Sequence, residues 1–267
     1  GLMSFLVSFL ASVSGEDLSQ ESDLAVAVSG GGDSLALAVL LLDWCGARGI
    51  RLHALTVDHG LRPESAAEAA FVAKFIRDRG GIHQTLLWDD VPKPTTRIQE
   101  AARAARYRLM AAYCKAHSIK YLGVAHHAQD QIETILFRMA KGTGLDGLAG
   151  MRPVQPLENG VTLLRPLLPV SHMDLLETLR DQNIDWIEDP SNANERYARV
   201  RIRNVIGVLE GEGLSADRIM TLSARLADEL NLIDYLVDNE YKKLTLYKYT
   251  QRIEIMFSGF LIVPIAG

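Results

Sequence analysis

The sequence predicts an α/β protein, a doubly wound and mostly parallel sheet followed by a small, mainly helical C-terminal part. Three observations carry that expectation. Short apolar runs alternate with helical ones from residue 24 onward, the pattern of βαβ units whose strands are covered on both faces. A turn of three glycines, within Ser29-Gly-Gly-Gly-Asp-Ser34, separates the first such strand from the first such helix. Beyond Gly211-Glu-Gly213 the alternation gives way to a helical pattern, which divides the chain into an α/β domain, 1–210, and a C-terminal helical or tail domain, 211–267.

The elements follow in order. Leu2, Phe5, Leu6, Phe9, Leu10 and Val13 recur at helical spacing, so Leu2–Val13 is expected as a docked amphipathic helix. It lacks a basic flank and is too short to span a bilayer, and no membrane partner is expected. Gly1 before Leu2-Met3 reads as a cloning remnant. Strands are expected at Leu24–Val28, Leu52–Val57, Ile82–Trp88 and Tyr121–Ala125, and helices at Leu35–Ala47, Ser65–Arg79, Arg97–His117 and Gln129–Lys141. Ligands of such sheets bind beyond the carboxyl ends of the strands, so the loops after Val28, Val57 and Ala125 should converge on one crevice. After Met151, Pro153, Pro156, Pro166 and Pro169 break the chain into short pieces before another helix, His172–Gln182. Trp186–Asn194 reads as a loop, Tyr197–Leu209 as a strongly basic helix, and Ser215–Asn239 as a helix followed by a strand-prone tail. The last apolar run, Phe257–Ile265, reads as a buried strand or docked tail broken by Pro264.

Hydrophobic content of 48% with 23% charged residues fits a soluble chain large enough to bury a full core. A net charge of −5 supplies no overall basic field, so any nucleic-acid contact must rest on a local stripe. Cys45 and Cys114 lie far apart in apolar helical contexts, which fits reduced, buried thiols in a cytoplasmic protein better than a metal site or a disulfide.

The glycine turn carries the most chemistry. Ser29, Gly30, Gly31, Gly32, Asp33 and Ser34 lead into a helix whose first N–H groups and dipole favour an anion, so a phosphate cradle is expected. The nucleoside-triphosphatase pattern requires Gly-Lys-Ser/Thr, and position 33 is Asp; the dinucleotide fingerprint would place its third glycine at Leu35. A carboxylate at the end of a phosphate loop suggests Mg²⁺ held jointly by Asp33 and the phosphates. The alternative is a plain strand-to-helix turn capped by Asp33 and Ser34.

Three further groups bear on the same crevice. In Val57-Asp-His-Gly-Leu-Arg62 the Val57 backbone can meet an adenine ring and His59 or Arg62 can reach phosphate, although an ordinary βα turn reads the same way. In Ala125-His-His-Ala-Gln-Asp-Gln-Ile-Glu-Thr134, helical spacing puts His126, Asp130, Glu133 and Thr134 on one face. Two carboxylates and an imidazole there can hold a cation, orient an amine or move a proton, and the rival reading is a solvated polar face. Zinc is disfavoured, since neither a His-Glu-x-x-His pair nor a cysteine cluster is present. Arg103 and Arg106, three apart on one helix, and the dense group Arg196, Arg199, Arg201 and Arg203 suit RNA or triphosphate contact; pairing with Glu188, Asp189 and Glu195 on a solvated face is the alternative.

Taken in order, these stretches resemble the tRNA(Ile)-lysidine synthetase family of the PP-loop ATP pyrophosphatases. The resemblance runs through the glycine turn, the Val57 and Ala125 motifs and Ala104-Ala-Arg-Tyr107. It continues in Gly142-Thr-Gly-Leu-Asp-Gly-Leu-Ala-Gly-Met151, Arg165-Pro-Leu-Leu168, Trp186-Ile-Glu-Asp-Pro-Ser-Asn192 and Tyr197-Ala-Arg-Val-Arg-Ile-Arg-Asn204, over roughly residues 20–230. It implies an adenine nucleotide alpha-hydrolase-like fold and a reaction in which ATP adenylates the C2 oxygen of the wobble cytidine of a CAU-anticodon tRNA(Ile). Free L-lysine then displaces AMP, giving lysidine. It implies that the glycine turn holds the departing pyrophosphate and that Asp33 holds Mg²⁺. Asp130 and Glu133 would bind lysine's amines, Arg106 the cytidine or its phosphate, His126 would belong to the catalytic set, and Arg103, Arg199, Arg201 and Arg203 would touch RNA. A homodimer is compatible with this reading. Gln129 stands where many relatives carry an acid, and Lys141 replaces the usual arginine.

Rival readings are a tRNA thiolase, an amide-forming synthetase on the same loop, and a non-catalytic tRNA-binding module. The thiolase usually needs paired cysteines, the synthetase has no use for RNA-facing arginines, and the module would not require the acids.

Overall fold

The computed structural model describes residues 1–13, 18–60, 63–89, 95–188 and 204–260, without the side chains of 99 and 246–260. The alternating runs form α1 (Leu2–Ser12), β1 (Asp23–Ala27), α2 (Gly32–Gly46), β2 (Arg51–Asp58), α3 (Ser65–Arg77), β3 (Ile82–Leu87), α4 (Ile98–Ala116), β4 (Tyr121–Gly123) and α5 (Ala128–Ala140). Then come the short α6 (Leu145–Leu148), β5 (Val154–Pro156), β6 (Thr162–Leu164), α7 (His172–Asp181), α8 (204–211) and the long α9 (Ala216–Phe260). Strand order is β3-β2-β1-β4-β6-β5, parallel throughout except that β5 runs antiparallel to β6 at the edge. The proline-broken stretch after Met151 therefore supplies two strands too short to announce themselves in the sequence.

Side-chain alternation along β1 sorts the two faces. Leu24, Val26 and Val28 face the cluster built by α1, α2, α3 and α7, whereas Ala25 and Ala27 face Met110, Ala111 and Cys114 of α4. Helix α2 is buried almost all round, since its Leu35, Leu37 and Leu41 are sealed off from solvent, and it forms the centre of the core. Each such leucine stabilises the fold by roughly 2 kcal/mol on burial.

In this topology the chain turns away from β1 on one side to β2 and on the other to β4. The crevice at that switch point, beyond the strands' carboxyl ends, is where doubly wound sheets bind ligands. The glycine turn after β1, the Val124–His127 loop after β4 and the start of α7 all open there.

The C-terminal part departs from expectation. The strand-prone tail is instead the continuation of α9 through Phe260, and of the run Phe257–Ile265 the last five residues lie outside the described residues. Tyr241, Thr245, Tyr247, Tyr249 and Ile253 favour strands only weakly, and no glycine or proline interrupts 216–258. Extending an established helix by one residue is far easier than nucleating a new element, so the helix continues. Its beginning docks firmly: Ser223 Oγ donates to Ala149 O at 2.7 Å and Arg152 Nη1 to Asn231 Oδ1 at 2.6 Å. Among the described residues no helix is long and apolar enough to cross a membrane.

Candidate active site

The glycine turn is held shut by its own serines. Ser29 N–H donates to Ser34 Oγ at 3.1 Å, and Ser34 Oγ donates to Gly31 O at 3.1 Å. Gly30 sits at φ +88°, a left-handed conformation that glycine adopts without strain. A Cβ there would also stand 2.9 Å from Ile187 Cδ1, whose backbone N–H donates to Gly30 O at 3.0 Å. The Trp186-Ile187 stretch is thus the turn's lid on the protein side. Val57 and His59 lie at the carboxyl end of β2, tied to the turn through Thr56 Oγ1, which donates to Val28 O at 2.8 Å. The His59 ring meets Trp88 edge-on, 5.9 Å between centroids.

Three helices start together beside this turn. Asp33 lies in the first turn of α2, His127 caps α5, and His172 is the first residue of α7. Asp33 Oδ1 is 2.6 Å from His172 Nδ1, and Asp33 Oδ2 is 3.2 Å from His127 Nε2. Burial pushes the Asp33 carboxyl up, but the bonds from His127 and His172 outweigh it and hold the group well below the usual carboxylate range. Gln129 Oε1 accepts from the His172 N–H at 3.1 Å and so ties α7 to α5. Three helix N-termini aimed at one crevice make a strong anion site.

Asp130 accepts from the His127 N–H at 3.0 Å, a capping contact, and its Oδ2 lies 3.5 Å from His127 Nε2. Glu133 follows on the next turn of α5. The structure corrects the expected shared face in one respect: α5 begins only at Ala128, so His126 lies in the preceding loop and not on the helix. Cap geometry decides this, because Asp130 closes the helix onto His127.

His126 belongs to a basic group instead. Buried Arg165 donates through Nε to His126 Nδ1 at 3.3 Å, and through Nη1 to Arg152 O at 2.9 Å and Gln155 Oε1 at 2.8 Å. A guanidinium only donates, so Nδ1 accepts and the ring proton sits on Nε2. Burial, then Arg165, Arg106 and Arg103, push the imidazole down to about 3. His126 is thus a neutral hydrogen-bond donor at physiological pH, and the half-buried Arg106 and exposed Arg103 of α4 stand near enough to share its surroundings.

This burial has a measurable sign. His126 at about 3 and buried His83, pushed by burial and then by Arg77 to about 4, both titrate below an unfolded imidazole at about 6.5. Below that pH the unfolded chain takes up protons the folded chain refuses, so stability falls as pH drops through the window. The depressed Asp33 carboxyl stabilises the fold above the ordinary carboxylate range and loses that effect only at lower pH. The unfolding free energy, and the urea midpoint with it, is expected to fall between pH 7 and pH 5, by on the order of 1–2 kcal/mol for each imidazole. A level or rising midpoint would contradict the buried neutral rings.

Arg199, Arg201 and Arg203, together with Arg196 and Arg62, lie outside the described residues. Sequence reasoning also passed over Arg165 and His172 as site residues. Arg165 carried a signal, a lone arginine in the apolar run 163–168; His172 carried only the Ser171-x-x-Asp174 cap of a helix start. Lys141 closes α5 with its ammonium 4.3 Å from the Phe137 ring centroid. Cys45 and Cys114 are buried in the clusters on opposite faces of the sheet, and burial pushes both thiols up to about 12, which leaves them unreactive.

Mg²⁺ takes oxygen donors almost alone. Around Asp33 both carboxylate oxygens face imidazole nitrogen, so this donor set does not fit that ion.

Comparison with known proteins sharpens the picture. Residues 6–209 match the PP-loop domain family. The chain is 42% identical over 225 residues to a tRNA(Ile)-lysidine synthase of a Bradyrhizobium species, covering 84% of this chain and 62% of the relative. It is 43% identical over 218 residues to that of Rhodopseudomonas palustris, covering 80% and 62%, and 42% over 213 residues to that of Ruegeria pomeroyi, covering 79% and 50%. The chain thus spans about 50–62% of the length of these relatives. Among solved structures it is similar in fold to the U34-tRNA thiolase NcsA of Methanococcus maripaludis, with a TM-score of 0.66, 17% identity and coverage of 85% and 80%. It is also similar to the NMN synthetase of Francisella tularensis, with a TM-score of 0.51, 14% identity and coverage of 84% and 92%.

Proposed function

The chain belongs to the PP-loop domain family, and from that premise we propose that it uses ATP to ligate lysine to C2 of the wobble cytidine of CAU-anticodon tRNA(Ile). The observation that carries the proposal is the placement of the acids Asp130 and Glu133 at the start of a helix that is tied through His127 to Asp33 of the glycine turn. An amine bound by those acids is then delivered beside the phosphate cradle.

In the first step the cytidine C2 oxygen attacks the α-phosphorus of ATP, the α–β P–O bond breaks, and pyrophosphate leaves in the cradle of helix N-termini. The basic group Arg103, Arg106 and Arg165 faces the cytidine and its phosphate, and neutral His126 offers its Nε2–H as a donor. In the second step the lysine side-chain amine, held by Asp130 and Glu133, attacks C2. The C–N bond forms as the C2–O bond to AMP breaks, a proton passes from the amine to solvent, and AMP leaves with the original oxygen. Holding both reactants in one crevice contributes much of the acceleration. Mg²⁺ in this reading is bound by the ATP phosphates. Arg199, Arg201 and Arg203 belong to the same reading as RNA contacts. So do a catalytic part at 1–210, a tRNA-contacting part at 211–267, and a cytoplasmic location.

A thiolase reading is disfavoured by the two inert thiols on opposite faces of the sheet. With ATP, Mg²⁺, labelled lysine and CAU-anticodon tRNA, the protein is expected to incorporate label at the wobble cytidine. Folded protein and competent tRNA without incorporation would overturn the assignment, and turnover with sulfide or ammonia would transfer it to a rival.

A further inference from the structure

We propose that Asp33, His127 and His172 form a binding site for a first-row transition dication of the imidazole-preferring class, Zn²⁺ or Co²⁺ rather than Mg²⁺. Their ligating atoms all lie within 4.8 Å of one another. The two rings approach different oxygens of the one carboxylate, His172 Nδ1 at 2.6 Å from Oδ1 and His127 Nε2 at 3.2 Å from Oδ2, so an ion that enters between them replaces these two contacts. Two imidazoles and one carboxylate are the donor set of zinc sites that keep a further position open for water or substrate, and imidazole selects zinc, iron, cobalt and nickel over magnesium.

The surroundings support each ligand. The backbone of His127 is fixed by Asp130, which accepts its N–H at 3.0 Å. That of His172 is fixed by Gln129, which accepts its N–H at 3.1 Å, and by the Ser171 cap of α7. Such outer contacts orient metal ligands. Exposure rises across the set, from 1% for the His127 side chain through 22% for Asp33 to 31% for His172, so an ion has an entry side and an anchored side. Three helix N-termini disfavour a cation here, but the Asp33 and Asp130 carboxylates offset them. Asp130 Oδ2 lies 3.5 Å from His127 Nε2, and its charge reaches the site without its serving as a ligand. An ion so placed beside the glycine turn offers its remaining positions to phosphate oxygens. The inference rests on these side chains and is independent of the identity of the nucleophile or the RNA.

The test uses the whole chain, stripped with chelator, and the metal ion alone. Titration with Co²⁺ is expected to give one saturating d–d absorption per chain, displaced by stoichiometric Zn²⁺ and unaffected by millimolar Mg²⁺. Proton spectra of the Co²⁺ form are expected to show paramagnetically shifted resonances from two imidazole rings, a readout that needs no variant. His172→Ala, at a partly exposed position, should weaken Co²⁺ binding at least ~10-fold with an unchanged far-ultraviolet spectrum. Absence of a saturable band, displacement by Mg²⁺, or shifted resonances from fewer than two rings would overturn the site. So would equal affinity in the variant. Metal binding and lysine incorporation are separate measurements, so failure of one is distinguishable from failure of the other.

Discussion

Asparagine in place of Asp130 is expected to lower lysine transfer by ~10²-fold or more while ATP binding survives. The substitution is selective because Asp130 does two things. Its carboxylate caps α5 through the His127 N–H, and an asparagine carbonyl oxygen can accept that bond equally well. Its charge, in the proposed reaction, holds the lysine amine, and an amide cannot replace that. The helix therefore remains in place, His127 stays against Asp33, and the cradle keeps its shape. Labelled-lysine incorporation measured beside ATP titration separates the two roles. Equal loss of both would mean that Asp130 serves the nucleotide, and the assignment of roles would be wrong.

Methionine in place of Arg165 is expected to cost about 2–4 kcal/mol of stability and to raise the His126 pKa from about 3. Methionine fills much of the same volume but leaves His126 Nδ1, Arg152 O and Gln155 Oε1 without their donor. Unpaired buried acceptors account for the destabilisation. The removed cation, second only to burial among the causes of the low value, accounts for the titration. Urea unfolding reads the first effect and the ring resonances of His126 read the second. A His126 that still titrates near 3 would show that burial, with Arg106 and Arg103, sets its protonation without Arg165, and the donor role of its Nε2–H would no longer depend on Arg165.

Much of this was legible in the residues. Leu24–Val28, Leu52–Val57 and Ile82–Trp88 are apolar runs bounded by turn signals, and each differs from the observed strand by no more than a residue or so. The glycine turn and the acids of α5 declare themselves because adjacent residues make their chemistry. Other parts depend on contacts between distant segments. β5 and β6 span three residues each and exist because they complete the sheet beside β4, not through any propensity of their own. The helical spacing that put His126 beside Asp130 and Glu133 is sound as arithmetic, but it assumes the helix has already begun, and the cap on His127 starts it later. His172 is an ordinary helix start until the fold brings it to Asp33. The continuation of α9 past Asn239 shows the converse, where weak strand preferences yield to a helix already formed.

The bond between Asp33 and His172 joins residues 139 positions apart. Closing so long a span carries an entropic cost, and in the folded chain the paired strands β4 and β6 lie between the two residues in sequence and bring α7 into reach. A nascent or partly folded chain can therefore possess its glycine turn without the imidazole that meets Asp33. The glycine turn and the imidazole that meets Asp33 are united only once the sheet is complete through β6.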